Sequence, residues 1–109
     1  MSDDILSRLA ATIASRRAAA GDSSYTRQLL DAGAERCARK FGEEAIEAVI
    51  AAMGTDPKAL TGEAADVIYH LLVLLEAKGI AWAEVAHVLE ARSGTSGLAE
   101  KASRGHPAG

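Results

Sequence analysis

A short break between two long helical segments constrains the fold of this chain more than any other feature. Gly54 and the pair Asp56-Pro57 form the break. Glycine is typical of helix ends, aspartate caps helix starts, and proline suits the first helical turn. A break this short folds the two segments back on each other as an antiparallel hairpin. In a hairpin centred on Thr55, residues whose numbers sum to about 110 lie level with each other.

Helical periodicity and end signals predict an all-α fold of about five helices, with this hairpin at its centre. Hydrophobic residues make up 49% of the chain but aromatic residues only 4%, which favours closely packed helices over a sheet. The predicted helices cover residues 4–17, 24–33, 34–53, 56–79 and 81–92. Residues 1–94 are assigned to one all-α domain, and residues 95–109, rich in small residues, to a mobile C-terminal tail.

The second half of the fourth helix, Val67 to Leu75, is apolar on nearly every side. A helix without a polar face is expected to be buried all round, and a chain of this size offers few neighbours to cover it. We therefore expect a homodimer or higher homo-oligomer, a homodimeric helix bundle with the hairpin at its centre.

Composition and charge exclude several classes of protein. Twelve Lys and Arg against 15 Asp and Glu give a net charge of −3, which argues against a general nucleic-acid surface. The single cysteine, Cys37, fits a reducing compartment. The run from Ile68 to Leu75 is too short to span a membrane, and the acidic start is unlike a secretory signal. These features predict a soluble, cytoplasmic protein without a membrane partner.

Two pairs of acidic residues share one spacing on the hairpin. Glu44 and Glu47 lie three apart, as do Glu63 and Asp66, so each pair projects from one helix face. The hairpin register places the two pairs level. Converging carboxylates repel one another unless a cation neutralises them, and an all-oxygen ligand set suits Mg²⁺ or Mn²⁺ better than Zn²⁺. A solvated acidic face is the alternative for any single carboxylate, while a di-iron site is excluded because the chain has no Glu-x-x-His motif.

Basic and hydroxyl residues near this acidic layer are candidates for phosphate contacts. Arg36, Arg39 and Lys40 precede the layer by one to two helical turns, although surface solubility explains at least one of them equally well. The start of the second helix, at Tyr25 and Thr26, also suits a phosphate. A capping loop without a ligand is the alternative there.

The acidic pattern carries a family resemblance. Glu43-Glu44-Ala-Ile-Glu47 followed by Glu63-Ala-Ala-Asp66 resembles the signature of the MazG-like all-α nucleoside triphosphate pyrophosphohydrolases. The resemblance narrows to the phosphoribosyl-ATP pyrophosphohydrolases of histidine biosynthesis, and it extends from about Leu6 to Arg104. Four further motifs carry it: Ser24-Tyr25-Thr26-x-x-Leu29, Lys40-x-Gly42-Glu43-Glu44, Ala65-Asp66-x-x-Tyr69-His70-x-Leu72-Val73-Leu74-Leu75, and Arg92-x-Gly94-x-Ser96-Gly97-x-x-Glu100-Lys101-Ala102.

The resemblance implies a dimeric, all-helical, Mg²⁺-dependent enzyme that hydrolyses phosphoribosyl-ATP to phosphoribosyl-AMP and pyrophosphate. It implies these roles by position: metal binding for Glu44, Glu47, Glu63 and Asp66, activation of water by Glu43 or one of the ligands such as Glu44, stabilisation of phosphate charge by Lys40, and substrate contact by Tyr25, Thr26, Lys101 and Arg104. Two alternatives are a housekeeping nucleotide pyrophosphohydrolase with the same metal layer and a non-catalytic helical dimerisation module.

Overall fold

The computed structural model describes residues 4–93, and five α-helices make up most of this part of the chain. The helices are α1 (Ile5–Ala18), α2 (Tyr25–Ala32), α3 (Ala34–Ala52), α4 (Pro57–Ala77) and α5 (Trp82–Ser93). No strand occurs between residues 4 and 93, so the all-α prediction is confirmed. The predicted tail, residues 95–109, lies outside the described residues.

Side-chain caps explain why the helices begin where the sequence predicts. The side chains of Asp4, Ser24 and Asp56 each accept a hydrogen bond from a backbone N–H in the first turn of the next helix, over 2.8 to 3.1 Å. Each cap contributes about 1 kcal/mol to stability. Gly79 has a φ of 73° directly after α4, a backbone conformation that favours glycine and ends the helix.

The hairpin of α3 and α4 is the centre of the fold, and α1 and α2 pack against one side of it. The fully buried apolar residues come from four helices: Ile13, Leu29, Cys37, Leu72 and Val73. The chain itself therefore covers part of the apolar half of α4. Ile68 is nevertheless 41% exposed, so the cover is incomplete.

A larger apolar surface remains open on the other side of the hairpin, mostly on α3. We define the hairpin apolar face by its exposed residues Ile46, Val49, Ile50 and Met53 on α3 and Leu60 and Ile68 on α4. The α3 residues follow helical spacing and are 60–79% exposed. Contiguous exposed apolar surface of this kind commonly marks an interaction site.

Gly42 lies one turn before Ile46 on the same side of α3. A Cβ atom added at Gly42 would meet no heavy atom within 4 Å among residues 4–93. Glycine is therefore not required there by crowding within the described part of the chain.

The helices between residues 4 and 93 lack the length and apolar character needed to cross a membrane.

Candidate active site

Three carboxylates of the hairpin converge at one point. Glu44 on α3 meets Glu63 and Asp66 on α4, and one oxygen from each lies within 4.8 Å of the other two. The i,i+3 spacing places both α4 residues on one helix face, and the antiparallel packing brings Glu44 to that face. The side chain of Glu44 is only 16% exposed, whereas Asp66 is open to solvent. We call these three residues the carboxylate cluster.

The other two predicted acidic residues lie beside the carboxylate cluster. Glu47 is exposed and is not part of the close group of oxygens. Its negative charge is still near enough to raise the pKa of Glu63 further. Glu43 is also exposed, and its carboxylate lies 3.7 Å from the ammonium of Lys40. The structure thus brings together three of the four predicted ligands, with the fourth close by.

Lys40 lies at the edge of the carboxylate cluster, with its Nζ atom 3.4 Å from an oxygen of Glu44. The phenol of Tyr25, followed by the carboxylates of Glu44 and Glu43, raises the pKa of Lys40. The side chain is therefore charged at neutral pH. Its position one turn before Glu44 allows it to neutralise an anion bound beside the cluster.

Crowding of negative charge perturbs the carboxylate cluster itself. Partial burial is the largest cause of the raised pKa of Glu63, and the charges of Asp66, Glu44 and Glu47 raise it further. Like charges held this close favour either a bound proton or a bound cation. The donor set, three carboxylates without a thiol or an imidazole among them, fits a hard divalent cation such as Mg²⁺.

We expect Glu63 to make the metal-free protein less stable as the pH rises. Its pKa in the folded protein is raised above the ordinary value of 4.5, so between these two values the folded state holds a proton that the unfolded state has lost. The free energy of unfolding therefore falls as the pH rises through this window, and the loss persists above it. Urea unfolding in EDTA, from about pH 4 to pH 8, measures the effect.

The matched variants for this measurement are Glu63→Gln and Glu90→Gln. Glu63→Gln should be more stable than the unchanged protein at neutral pH, and the advantage should disappear in acid. Glu90 is exposed on α5, so its replacement removes the same charge far from the cluster. Equal pH dependence of the two variants would contradict the expectation.

Aromatic and hydroxyl groups of α2 and α4 form a wall beside the carboxylate cluster. His70 is buried, and the rings of Tyr25 and Tyr69 meet it edge to face at centroid distances of 6.1 and 4.9 Å. Burial lowers the pKa of His70, so its ring is neutral at neutral pH. The hydroxyl of Thr26 is hydrogen-bonded to that of Tyr69. This contact holds α2 against α4 and leaves Tyr25, which is 49% exposed, at the edge of the site.

The remaining predicted residues divide into three groups. Arg39 pairs with Glu35 over 3.3 Å, whereas Arg36 lines a groove between α2 and α3 together with Tyr25 and Gln28. Gln28 did not emerge from the sequence, although its position three residues after Tyr25 places both on one face of α2. The other two predicted substrate contacts, Lys101 and Arg104, lie outside the described residues.

Comparison with known proteins identifies the family. The sequence model of the family Phosphoribosyl-ATP pyrophosphohydrolase matches residues 6–93, most of the chain. The chain belongs to the phosphoribosyl-ATP pyrophosphohydrolase family. This membership confirms the resemblance predicted from the acidic signature and its surrounding motifs.

Individual relatives in the phosphoribosyl-ATP pyrophosphohydrolase family match over nearly their full length. A phosphoribosyl-ATP pyrophosphatase of Cereibacter sphaeroides is 59% identical over 101 residues, which cover 93% of this chain and 98% of the relative. A phosphoribosyl-ATP pyrophosphatase of Dinoroseobacter shibae is 59% identical over 92% of this chain and 98% of the relative. A phosphoribosyl-ATP pyrophosphatase 1 of Bradyrhizobium diazoefficiens is 59% identical over 88% of this chain and 91% of the relative.

Proposed function

We propose that this protein hydrolyses phosphoribosyl-ATP to phosphoribosyl-AMP and pyrophosphate, the second step of histidine biosynthesis, and that Mg²⁺ is required. One observation carries the proposal: a chain of the phosphoribosyl-ATP pyrophosphohydrolase family places three carboxylate oxygens within 4.8 Å of one another. Hydrolysis of a phosphoanhydride needs neutralisation of phosphate charge and an oriented water, and both needs can be met at this point.

Glu44, Glu63 and Asp66 would hold the cation, with Glu47 as a fourth ligand from the next turn of α3. Magnesium prefers carboxylates combined with substrate phosphates, and Mn²⁺ accepts the same ligands. When bound, the metal polarises a phosphoryl oxygen and acidifies a coordinated water. The raised pKa of Glu63 supports the assignment, because a cation would relieve the carboxylate repulsion that adds to the effect of burial on this pKa.

Two further residues of α3 would act on the substrate directly. Lys40, with its ammonium 3.4 Å from Glu44, would neutralise phosphate charge at the edge of the cluster. Glu43 would orient the attacking water and accept its proton, because its carboxylate stays outside the close group of oxygens while remaining 3.7 Å from Lys40. Glu44 would serve mainly as a ligand.

We propose further that the protein is a homodimer joined through the hairpin apolar face. Exposure of 60–79% for the four apolar residues of α3 is hard to reconcile with an isolated copy. A second copy of this chain offers the same apolar surface, and a two-fold axis pairs it with itself. Gly42 has no side chain and has open space beside it, so it would allow the α3 helices of the two copies to approach each other closely.

The test is pyrophosphate release from phosphoribosyl-ATP, measured with Mg²⁺ and with EDTA, beside ATP, dCTP and dUTP. Metal-dependent release from phosphoribosyl-ATP, well above that from the other nucleotides, is the expected result. Release only from the other nucleotides would replace the proposal with a housekeeping role. No release from any of them would favour a non-catalytic module.

A further inference from the structure

A groove of about 400 Å³ lies between α2 and α3, next to the carboxylate cluster but separate from it. It is lined by Tyr25, Gln28, Leu29, Ala32 and Arg36. The lining combines an aromatic ring, an amide and a guanidinium with apolar side chains. This mixture is typical of a site for a small polar molecule, since apolar walls supply contact and a few polar groups fix orientation.

Arg36 is the cationic group of the groove, and within residues 4–93 its side chain makes no ion pair or hydrogen bond. Neighbouring arginines are engaged: Arg39 pairs with Glu35, and Arg27 pairs with Asp31 and donates to two backbone carbonyls. The Arg36 guanidinium therefore has its planar set of donors available for an anion. Phosphate matches that geometry, because two parallel N–H groups can donate to two of its oxygens.

The groove borders the proposed active site. Arg36, Lys40 and Glu44 follow each other at four-residue spacing, so they lie along one face of α3. Tyr25 belongs to both places, because it lines the groove, contacts the ring of His70 and perturbs the pKa of Lys40. An elongated ligand held at the carboxylate cluster can thus reach toward the groove.

Phosphoribosyl-ATP carries phosphate at two ends. Its triphosphate is the group that is cleaved and, under the proposed function, lies at the carboxylate cluster. The second phosphate, on the added ribose, is separated from the triphosphate by a purine and two sugars, so it contacts a different part of the surface. Arg36 lies eight residues before Glu44, about 12 Å along α3, at the end of the face that runs from the carboxylate cluster to the groove.

We propose that this groove binds the distal phosphoribosyl group and distinguishes the substrate from ATP. Arg36 binds the distal phosphate, Gln28 hydrogen-bonds the sugar or the phosphate, and Tyr25 packs against the sugar or the purine. The inference rests on the proposed function, because it takes the substrate to be phosphoribosyl-ATP. It assigns substrate selection to α2 and the start of α3, and cleavage to the hairpin.

The test compares Arg36→Gln with Arg8→Gln, which removes the same charge at an exposed residue of α1 that lines neither the groove nor the carboxylate cluster. Arg36→Gln should raise the KM for phosphoribosyl-ATP by about 10- to 100-fold, the usual effect of losing a charged hydrogen bond to phosphate, while kcat changes little. Binding of ATP, measured by its inhibition of the reaction, should be unchanged. Arg8→Gln should resemble the unchanged protein, and Arg36→Lys should recover part of the loss.

Ribose 5-phosphate provides a second measurement, because it carries the distal group without the triphosphate. It should compete with phosphoribosyl-ATP in the unchanged protein and in Arg8→Gln, but much more weakly in Arg36→Gln. Equal KM values for the two arginine variants, with the unchanged protein active, would overturn this inference alone. So would an equal loss of ATP binding in Arg36→Gln, which would place Arg36 at the triphosphate. An unchanged protein without activity on phosphoribosyl-ATP would overturn the proposed function, and this inference with it.

Discussion

Replacing Asp66 with Asn is expected to slow pyrophosphate release from phosphoribosyl-ATP by about 100- to 1000-fold, the effect of removing one group that stabilises developing charge in a transition state. The change keeps the shape of the side chain but removes one charge from the carboxylate cluster. Because repulsion within the cluster falls, the metal-free variant should be at least as stable as the unchanged protein. Activity is measured at saturating Mg²⁺, and folding by the helical circular dichroism signal.

Asp56→Asn is the matched control for this variant. Asp56 lies at the start of the same helix, caps it, and is outside the carboxylate cluster. Asparagine caps helices as well as aspartate does, so activity and stability should both persist. Mg²⁺ should raise the melting temperature of this control by mass action but leave that of Asp66→Asn nearly unchanged. Full activity of Asp66→Asn, or its failure to fold, would count against the metal assignment.

Ile50→Asp is expected to convert the proposed dimer into monomers. Ile50 lies within the hairpin apolar face and is 60% exposed in one copy. Burial of an isoleucine contributes about 1.5–3 kcal/mol to the free energy of association, and a two-fold symmetric interface buries this residue from both copies. The loss of about 3–6 kcal/mol weakens association by at least about 100-fold, before the added cost of burying a carboxylate. Sedimentation equilibrium over a range of protein concentrations measures the change.

Ile5→Asp makes the same substitution at a residue of α1 that is 64% exposed and lies outside the hairpin apolar face. It should leave the dimer intact. If both variants dimerise equally well, the interface lies elsewhere. A monomeric unchanged protein at tens of micromolar would remove the proposal altogether.

Local chemistry explains why the helices could be predicted so closely from the sequence. The caps at Asp4, Ser24 and Asp56 and the glycine after α4 act within one turn of where they stand, so their effect is visible in the sequence. Packing is not local in this sense. Leu72 and Val73 of α4 are buried among residues of the other helices. Ile68 remains 41% exposed, and the apolar run itself does not show which of its residues one copy covers.

The carboxylate cluster was predictable only in part, for a geometric reason. Spacing places Glu44 and Glu47 on one side of α3, but residues three apart still differ by about 60° around a helix. Glu44 points at α4 and joins Glu63 and Asp66, whereas Glu47 remains outside that close group. Register alone does not decide which of two such side chains converges with the partner helix.

Contacts between residues far apart in the chain could not be predicted from the sequence. Thr26 was predicted to contact substrate, and its hydroxyl bonds that of Tyr69, 43 residues further along the chain. Whether it also reaches substrate stays a prediction. The groove around Arg36 depends in the same way on how α2 lies against α3, which no local pattern specifies.

Cys37 is buried, so its thiol can serve as a natural probe for opening of the core. Its thiol donates a hydrogen bond to the carbonyl of Leu29 over 3.2 Å, and burial raises its pKa. A thiol that is both covered and protonated reacts slowly with disulfide reagents, because the thiolate is the reactive form. With one cysteine in the sequence, any modification reports opening of the core in which α1 to α4 bury this thiol. The rate of labelling can therefore follow the opening of the helices that carry the site, without any engineered probe.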